Sequence, residues 1–147
     1  TGKFYVVAGD ENFPTERNPQ GIDRFSGPAV AAAGWIHIIE FDDLANPREV
    51  ARYEVPEGGT HNFWIEDDVL YVAYYNQGLR VVDLSGELLG NLYTQGREIA
   101  NFLPDDPKGF KANAARTWGA MPFKNLIWVA DNNSGLWAVR LIDIPRR

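Results

Sequence analysis

The 147-residue chain contains no cysteine, one methionine and only two histidines. Without thiols it can form no disulfide, no thiolate nucleophile and no Cys-ligated zinc site, and its redox compartment is left open. Two histidines are too few for a His-only metal centre, and no HExxH or comparable spacing occurs. No apolar run reaches the roughly 18 residues of a transmembrane helix. Basic residues are in the minority: 14 against 20 acidic, for a net charge of −6 and a pI near 4.8. That balance excludes a sequence-independent grip on phosphate backbones, so nucleic acid is not an expected partner. Ser26, Ser85 and Ser134 lie in turns, and none sits in a G-x-S-x-G elbow. The stretch EGGTHN lacks the Lys and the following helix of a phosphate-binding loop.

What is present is an all-β pattern. At 45% hydrophobic and 23% charged the composition is globular, and the apolar runs are short, of period two, and rich in β-branched and aromatic residues. Strands are expected at Lys3–Ala8, Trp35–Phe41, Arg48–Val55, Asn62–Glu66, Val69–Tyr75, Leu79–Leu84, Leu88–Tyr93, Thr117–Phe123, Leu126–Ala130 and Leu136–Leu141. Between them lie Asp67-Asp68, Asn76-Gln77-Gly78, Ser85-Gly86, Lys124-Asn125 and Asn132-Asn133-Ser134-Gly135, residues that tolerate the positive φ of hairpin turns. The single helix candidate is Arg97–Leu103, stopped by Pro104.

The chain also repeats itself. Thr60 through Leu79 aligns with Thr117 through Leu136 at a constant shift of 57, laying Val69–Ala73 over Leu126–Ala130 and Gly78-Leu79 over Gly135-Leu136. A partial earlier copy sets Lys3–Ala8 against the LYVA strand and Gly34-Trp35-Ile36-His37 against the Gly-Leu strand. Four antiparallel strands per unit, repeated side by side, is the pattern of β-propeller blades; a β-sandwich with chance similarity is the alternative.

The stretch LYVAYYNQGLRVVDLSG (Leu70–Gly86) resembles the LVIVD repeat, and IWVADNNSGLWAVRL (Ile127–Leu141) looks like a second copy, with Arg140 where the first carries Asp83. The resemblance covers most of residues 34–142 and is to the C-terminal part of bacterial LVIVD-repeat proteins. It implies a propeller in an exported protein, hence an extracytoplasmic location, periplasmic, secreted or at the cell surface. It implies no particular chemistry.

One partial propeller domain over 1–147 follows, with blade-like units about 1–56, 57–94 and 117–144 and long loops 10–34 and 94–116. Propellers close with about four to eight blades, so about three blades need others. The remaining blades are expected from a longer chain, from other copies or from another subunit. The N-terminal Thr1-Gly2-Lys3-Phe4, with neither initiator Met nor signal-peptide core, reads as a processed or truncated chain.

Alternating strand direction puts the turn between a blade's second and third strands on the same face as the links between blades. That face is expected to hold 10–34, 56–61, 75–78, 94–116 and 131–135, and binding residues concentrate on such loops. The ligand- or partner-binding candidates on it are His61, Asn62, Tyr75, Asn76, Arg97, Arg116, Trp118, Asp131 and Asn132. His61 suits a general base or metal ligand, or else a structural bond to a backbone carbonyl; His37, mid-strand among apolar neighbours, suits packing or hydrogen bonding. Trp118 is the tryptophan placed for ligand stacking, while Trp35, Trp64, Trp128 and Trp137 are expected to fill space between blades. Arg97, Lys111 and Arg116 would clamp an anion, or stay as solvated charge. Asp10-Glu11-Asn12 and Asp131-Asn132-Asn133 are hard oxygen ligands that could share a Ca²⁺ ion; turn chemistry is the preferred reading, and no cofactor is expected.

The expected function is a non-catalytic repeat module binding a protein partner or small ligand through the long-loop face. The alternatives are a hydrolase or lyase with His61 at a channel mouth, and a structural subunit of a larger assembly.

Overall fold

The computed structural model describes residues 2–11 and 33–142. Among the described residues there are eleven strands and no helix. A first sheet has the order β1 (Tyr5–Gly9), β2 (Ile36–Glu40), β3 (Arg48–Tyr53) and β7 (Gly90–Asn91). A second runs β4 (Phe63–Glu66), β5 (Val69–Ala73), β6 (Leu79–Asp83) and β8 (Glu98–Phe102), and a third joins β9 (Thr117–Phe123), β10 (Leu126–Asp131) and β11 (Gly135–Val139). All neighbours are antiparallel except β3 and β7.

The internal repeat is reproduced in the hydrogen-bond register. Phe63↔Val72 and Leu70↔Val82 in the second sheet become Ala120↔Val129 and Ile127↔Val139 in the third, each residue displaced by 57. Asp67 and Asp68 take positive φ in the β4–β5 turn, and Lys124 and Asn125 do so in the β9–β10 turn. The first sheet matches too: Gly9↔Ile36 stands where Ala73↔Leu79 stands, and Ile36↔Tyr53 where Leu79↔Phe102 does. Even the register shift recurs, between Ile38 and Ile39 in one sheet and between Val81 and Val82 in the other. A bulge at one repeated position bends the outer strand the same way each time.

Period-two patterning explains the layering. In β5 and β6, Leu70, Val72 and Val82 turn to the first sheet and pack with Ile36, Ile38, Ala51 and Tyr53. Val69, Tyr71, Leu79 and Val81 turn the other way, to Ala120, Ile127 and Val129 of the third. The central strands β5 and β6 are thus covered on both faces, which is why they read as nearly continuous apolar runs. At the end of β2 remote from β3's exit, Glu40 accepts from Lys3 (2.6 Å) and Arg48 (2.7 Å), and those two cations hold its carboxyl below the ordinary range.

Three expectations need correction. Arg97–Leu103 is no helix: Glu98–Phe102 is β8, whose pairing with β6 overrides a weak local preference. Leu88–Tyr93 is not the fourth strand of the second sheet. Only Gly90–Asn91 is extended, and it pairs in parallel with Ala51 and Arg52 of the first sheet, because Gly90 (φ 67) and the Asn91 side chain accepting from Tyr93 N–H (3.0 Å) turn the chain at once. The stretch 94–116 is therefore not one connection; β8 occupies its first half and 103–116 links β8 to β9. Most of the other long loop, 10–34, lies outside the described residues.

Among the tryptophans, Trp137 packs edge-on against Phe102 between the second and third sheets (5.4 Å). Trp64, expected to fill inter-sheet space, is 49% exposed because β4 lies at the rim of its sheet.

Candidate functional site

Strand direction places the link 54–62, the turn 74–78, the link 103–116, the turn 132–134 and the chain after β1 at one end of all three sheets. Here four side chains from four separate segments converge. His61 leads into β4, its N–H donating to Ala73 O (2.9 Å); Asn62 N–H donates to Trp118 O (3.2 Å), tying the second sheet to the third. Thr117 N–H donates to Tyr75 O (3.0 Å), and Tyr75 itself sits at φ 37 in the β5–β6 turn. These backbone bonds bring the rings of His61, Tyr75 and Trp118 together.

The imidazole of His61 lies on the indole of Trp118 (5.4 Å between centroids, 17° between planes) and meets Tyr75 edge-on (5.3 Å). Its Nδ1 is 2.7 Å from the backbone oxygen of Trp118. A carbonyl only accepts, so Nδ1 carries the hydrogen and Nε2 is the nitrogen that can gain or lose a proton. Nε2 faces Glu11 Oε1 at 4.0 Å, and the Tyr75 hydroxyl donates to that same oxygen. Thr60 Oγ1 donates to Asp10 O (2.6 Å), fastening the segment that carries Glu11. Tyr75 is buried, whereas Trp118 is 40% exposed and offers an indole surface beside a carboxylate. Such a group can stack a planar ligand, hold a cationic one, or exchange a proton.

The other candidates serve the scaffold. Asp131 is buried, and its carboxylate accepts from Arg116 N–H (2.6 Å), Thr117 Oγ1 (3.1 Å), Asn133 N–H (2.9 Å), Ser134 N–H (2.8 Å) and Ser134 Oγ (3.0 Å). Those donors occupy the lone pairs a Ca²⁺ ion would need, so this aspartate organises a turn. Asp10 Oδ1 likewise accepts from Trp35 N–H (2.5 Å); Asn12 lies outside the described residues. Asn132 N–H donates to Arg116 O (2.9 Å), and Asn76 Nδ2 to Glu57 O (2.8 Å). Arg97 is at the opposite end of the sheets, where its guanidinium caps Ser85 O (2.5 Å) and Glu87 O (2.8 Å). It joins no anion clamp with Arg116, because β8 runs the length of the sheet between their segments.

Two groupings escape sequence reading. Glu11, visible only as a turn residue or calcium ligand, supplies the carboxylate of the aromatic cluster. Tyr53 hydroxyl donates to Glu98 (2.5 Å), which also pairs with Arg80 (3.1 Å); burial first, and the Glu98 bond second, push the Tyr53 phenol above its ordinary 10.0. Residues so distant in sequence share no signal before the sheets stack. His37 sits between Glu49 (3.0 Å) and Asp10 (3.7 Å) on the outer side of the first sheet. No family model matches the chain, and no curated protein or solved structure does.

Proposed function

We propose that the chain is a non-catalytic β-propeller repeat module of an exported bacterial protein of the LVIVD-repeat kind, binding a protein partner or small ligand through the end that carries His61. The observation that carries the reading is the convergence of Glu11, His61, Tyr75 and Trp118 at one end of stacked, equivalent sheets. A ring of blades positions such an end as a rigid platform. Supporting it, the three sheets share the register of their hairpin strands, and the first two share a bulge as well, as units of a propeller would. The export assignment rests on the resemblance of Leu70–Gly86 and Ile127–Leu141 alone.

A displayed peptide library selected on the 147-residue chain tests this. Peptides retained by the wild type and lost by Trp118→Ala support the platform. Retained peptides indifferent to both Trp118→Ala and His61→Ala overturn it.

One feature favours the enzymatic alternative: His61 Nε2 faces a carboxylate that also receives the Tyr75 hydroxyl, an arrangement suited to general acid–base work. A hydrolytic or eliminating activity abolished by His61→Gln would replace the binding reading.

A further inference from the structure

The repeated register supplies an internal comparison of inter-sheet faces. Tyr5, Val7, Ile36 and Ile38 in the first sheet occupy the positions of Val69, Tyr71, Leu79 and Val81 in the second, and both sets are packed against the following sheet. The same four positions in the third sheet are Leu126, Trp128, Leu136 and Ala138. They face away from the second sheet; Leu136 is 68% exposed and Ala138 is exposed too. Met121 and Phe123 of β9 extend this apolar surface and are exposed as well. Leu126 and Trp128 are half-buried like their equivalents, but the β11 pair is exposed where Ile36, Ile38, Leu79 and Val81 are buried. Among the described residues this face is therefore partly uncovered, and contiguous exposed apolar area marks association sites.

The surface that covers such a face is also defined twice: Leu70, Val72 and Val82, then Ile127, Val129 and Val139. The equivalents in the first sheet are Val6, Ala8 and Ile39, half-buried and turned away from the second sheet. One chain therefore carries both halves of the interface at its two ends. Resting on the propeller reading, we infer that the outer face of the third sheet docks the outer face of the first sheet of a second copy, head to tail. Two copies joined reciprocally bring six sheets together, within the span of about four to eight at which propellers close.

The inner interfaces also show what polar groups the contact accommodates. Arg80 and Glu98 lie in the second sheet where His37 and Glu49 lie in the first; the former are ion-paired at 3.1 Å and the latter in hydrogen-bond contact at 3.0 Å. The inner pair takes the hydroxyl of Tyr53 from the preceding sheet without breaking the apolar contact beside it. The His37–Glu49 pair on the first sheet's outer face is thus a feature the interface already contains once.

Sedimentation equilibrium of the 147-residue chain across the micromolar range tests the inference, with thermal unfolding confirming that each variant is folded. The wild type is expected to dimerise, and Leu136→Glu and Ala8→Glu each to weaken the dimer about tenfold or more, the weight of an apolar side chain in a desolvated contact. Mixing the two variants restores association, because one of the two contacts then has both faces intact. A wild type that stays monomeric overturns the inference. So does a dimer broken by Leu136→Glu and indifferent to Ala8→Glu, which would be face-to-face pairing of third sheets. The Trp118 end lies outside this contact. A monomer that still selects peptides through Trp118 defeats only the docking, and a head-to-tail dimer that selects none defeats only the binding platform.

Discussion

His61 holds Trp118 twice: its ring stacks on the indole at 5.4 Å, and its Nδ1–H donates to the backbone oxygen of the same residue at 2.7 Å. One side chain from the link into β4 thereby sets both the main chain and the ring orientation at the start of β9.

Replacing His61 with Ala removes that hydrogen bond and the stacking together. A loss of about 1–2 kcal/mol is expected, and the indole becomes free to move. Chemical denaturation gives the stability, and the change in tryptophan emission is reported cleanly by Trp118 as the only tryptophan left when the other four are replaced by Phe. Unchanged emission would contradict the geometry.

Asp131 gathers five donors into one turn. Asp131→Ala takes the acceptor from three buried or half-buried amides and the Thr117 hydroxyl, while Ser134 Oγ keeps Pro104 O (2.8 Å). It should cost about 3 kcal/mol or more, whereas Asp131→Asn keeps one acceptor oxygen and should cost less. Hydrogen exchange is expected to rise first at the amides of Arg116, Asn133 and Ser134. Equal losses for the two variants would deny the carboxylate this role.

Gly78 and Gly135 occupy the same repeated position, both at positive φ (73 and 94), yet a Cβ on Gly78 would come within 2.3 Å of Phe102 O while one on Gly135 meets nothing. Gly135→Ala should cost only the backbone strain of about 1 kcal/mol. Gly78→Ala adds a clash with β8 and should cost at least about twice that. Urea denaturation of the two variants side by side decides the matter, and similar values would mean that β8 does not lie where described.

Burial raises the phenols of Tyr53 and Tyr74 above their ordinary 10.0, with the Glu98 bond adding to the effect for Tyr53. A raised value in the folded state means the stabilisation is complete below pH 10 and is lost as the pH climbs above it, since the unfolded chain releases these protons first. The thermal midpoint should therefore fall with rising pH above about 10. Tyr53→Phe is expected to make that fall shallower while lowering the neutral-pH midpoint, because Glu98 loses a donor.

Most strands were legible because their information is local: the Val69–Ala73 run and the Asp67-Asp68 turn carry their period and their positive φ in consecutive residues. The fourth strand of the second sheet was not. Glu98–Phe102 has no stronger extended preference than Leu88–Tyr93, and the choice between them is made by which segment meets β6. The candidate site divides the same way. His61, Tyr75 and Trp118 could be assigned to one end from strand alternation alone, whereas Glu11 joins them only through a fold that returns β1 to the side of β2. Arg97 lies at the opposite end from Arg116 because Glu98–Phe102, and not Leu88–Tyr93, is the segment that pairs with β6.

The amino-acid order alone determined an all-β chain, a repeat of 57 residues and the turns that set each hairpin's register, since alternation and positive φ are properties of neighbours along the chain. Stacking decided the rest. Which face of each strand is covered, which aspartate is saturated by donors and which ring meets a carboxylate all depend on contacts between residues far apart in sequence. Those contacts gain their energy from burial and hydrogen bonding only once the sheets are assembled.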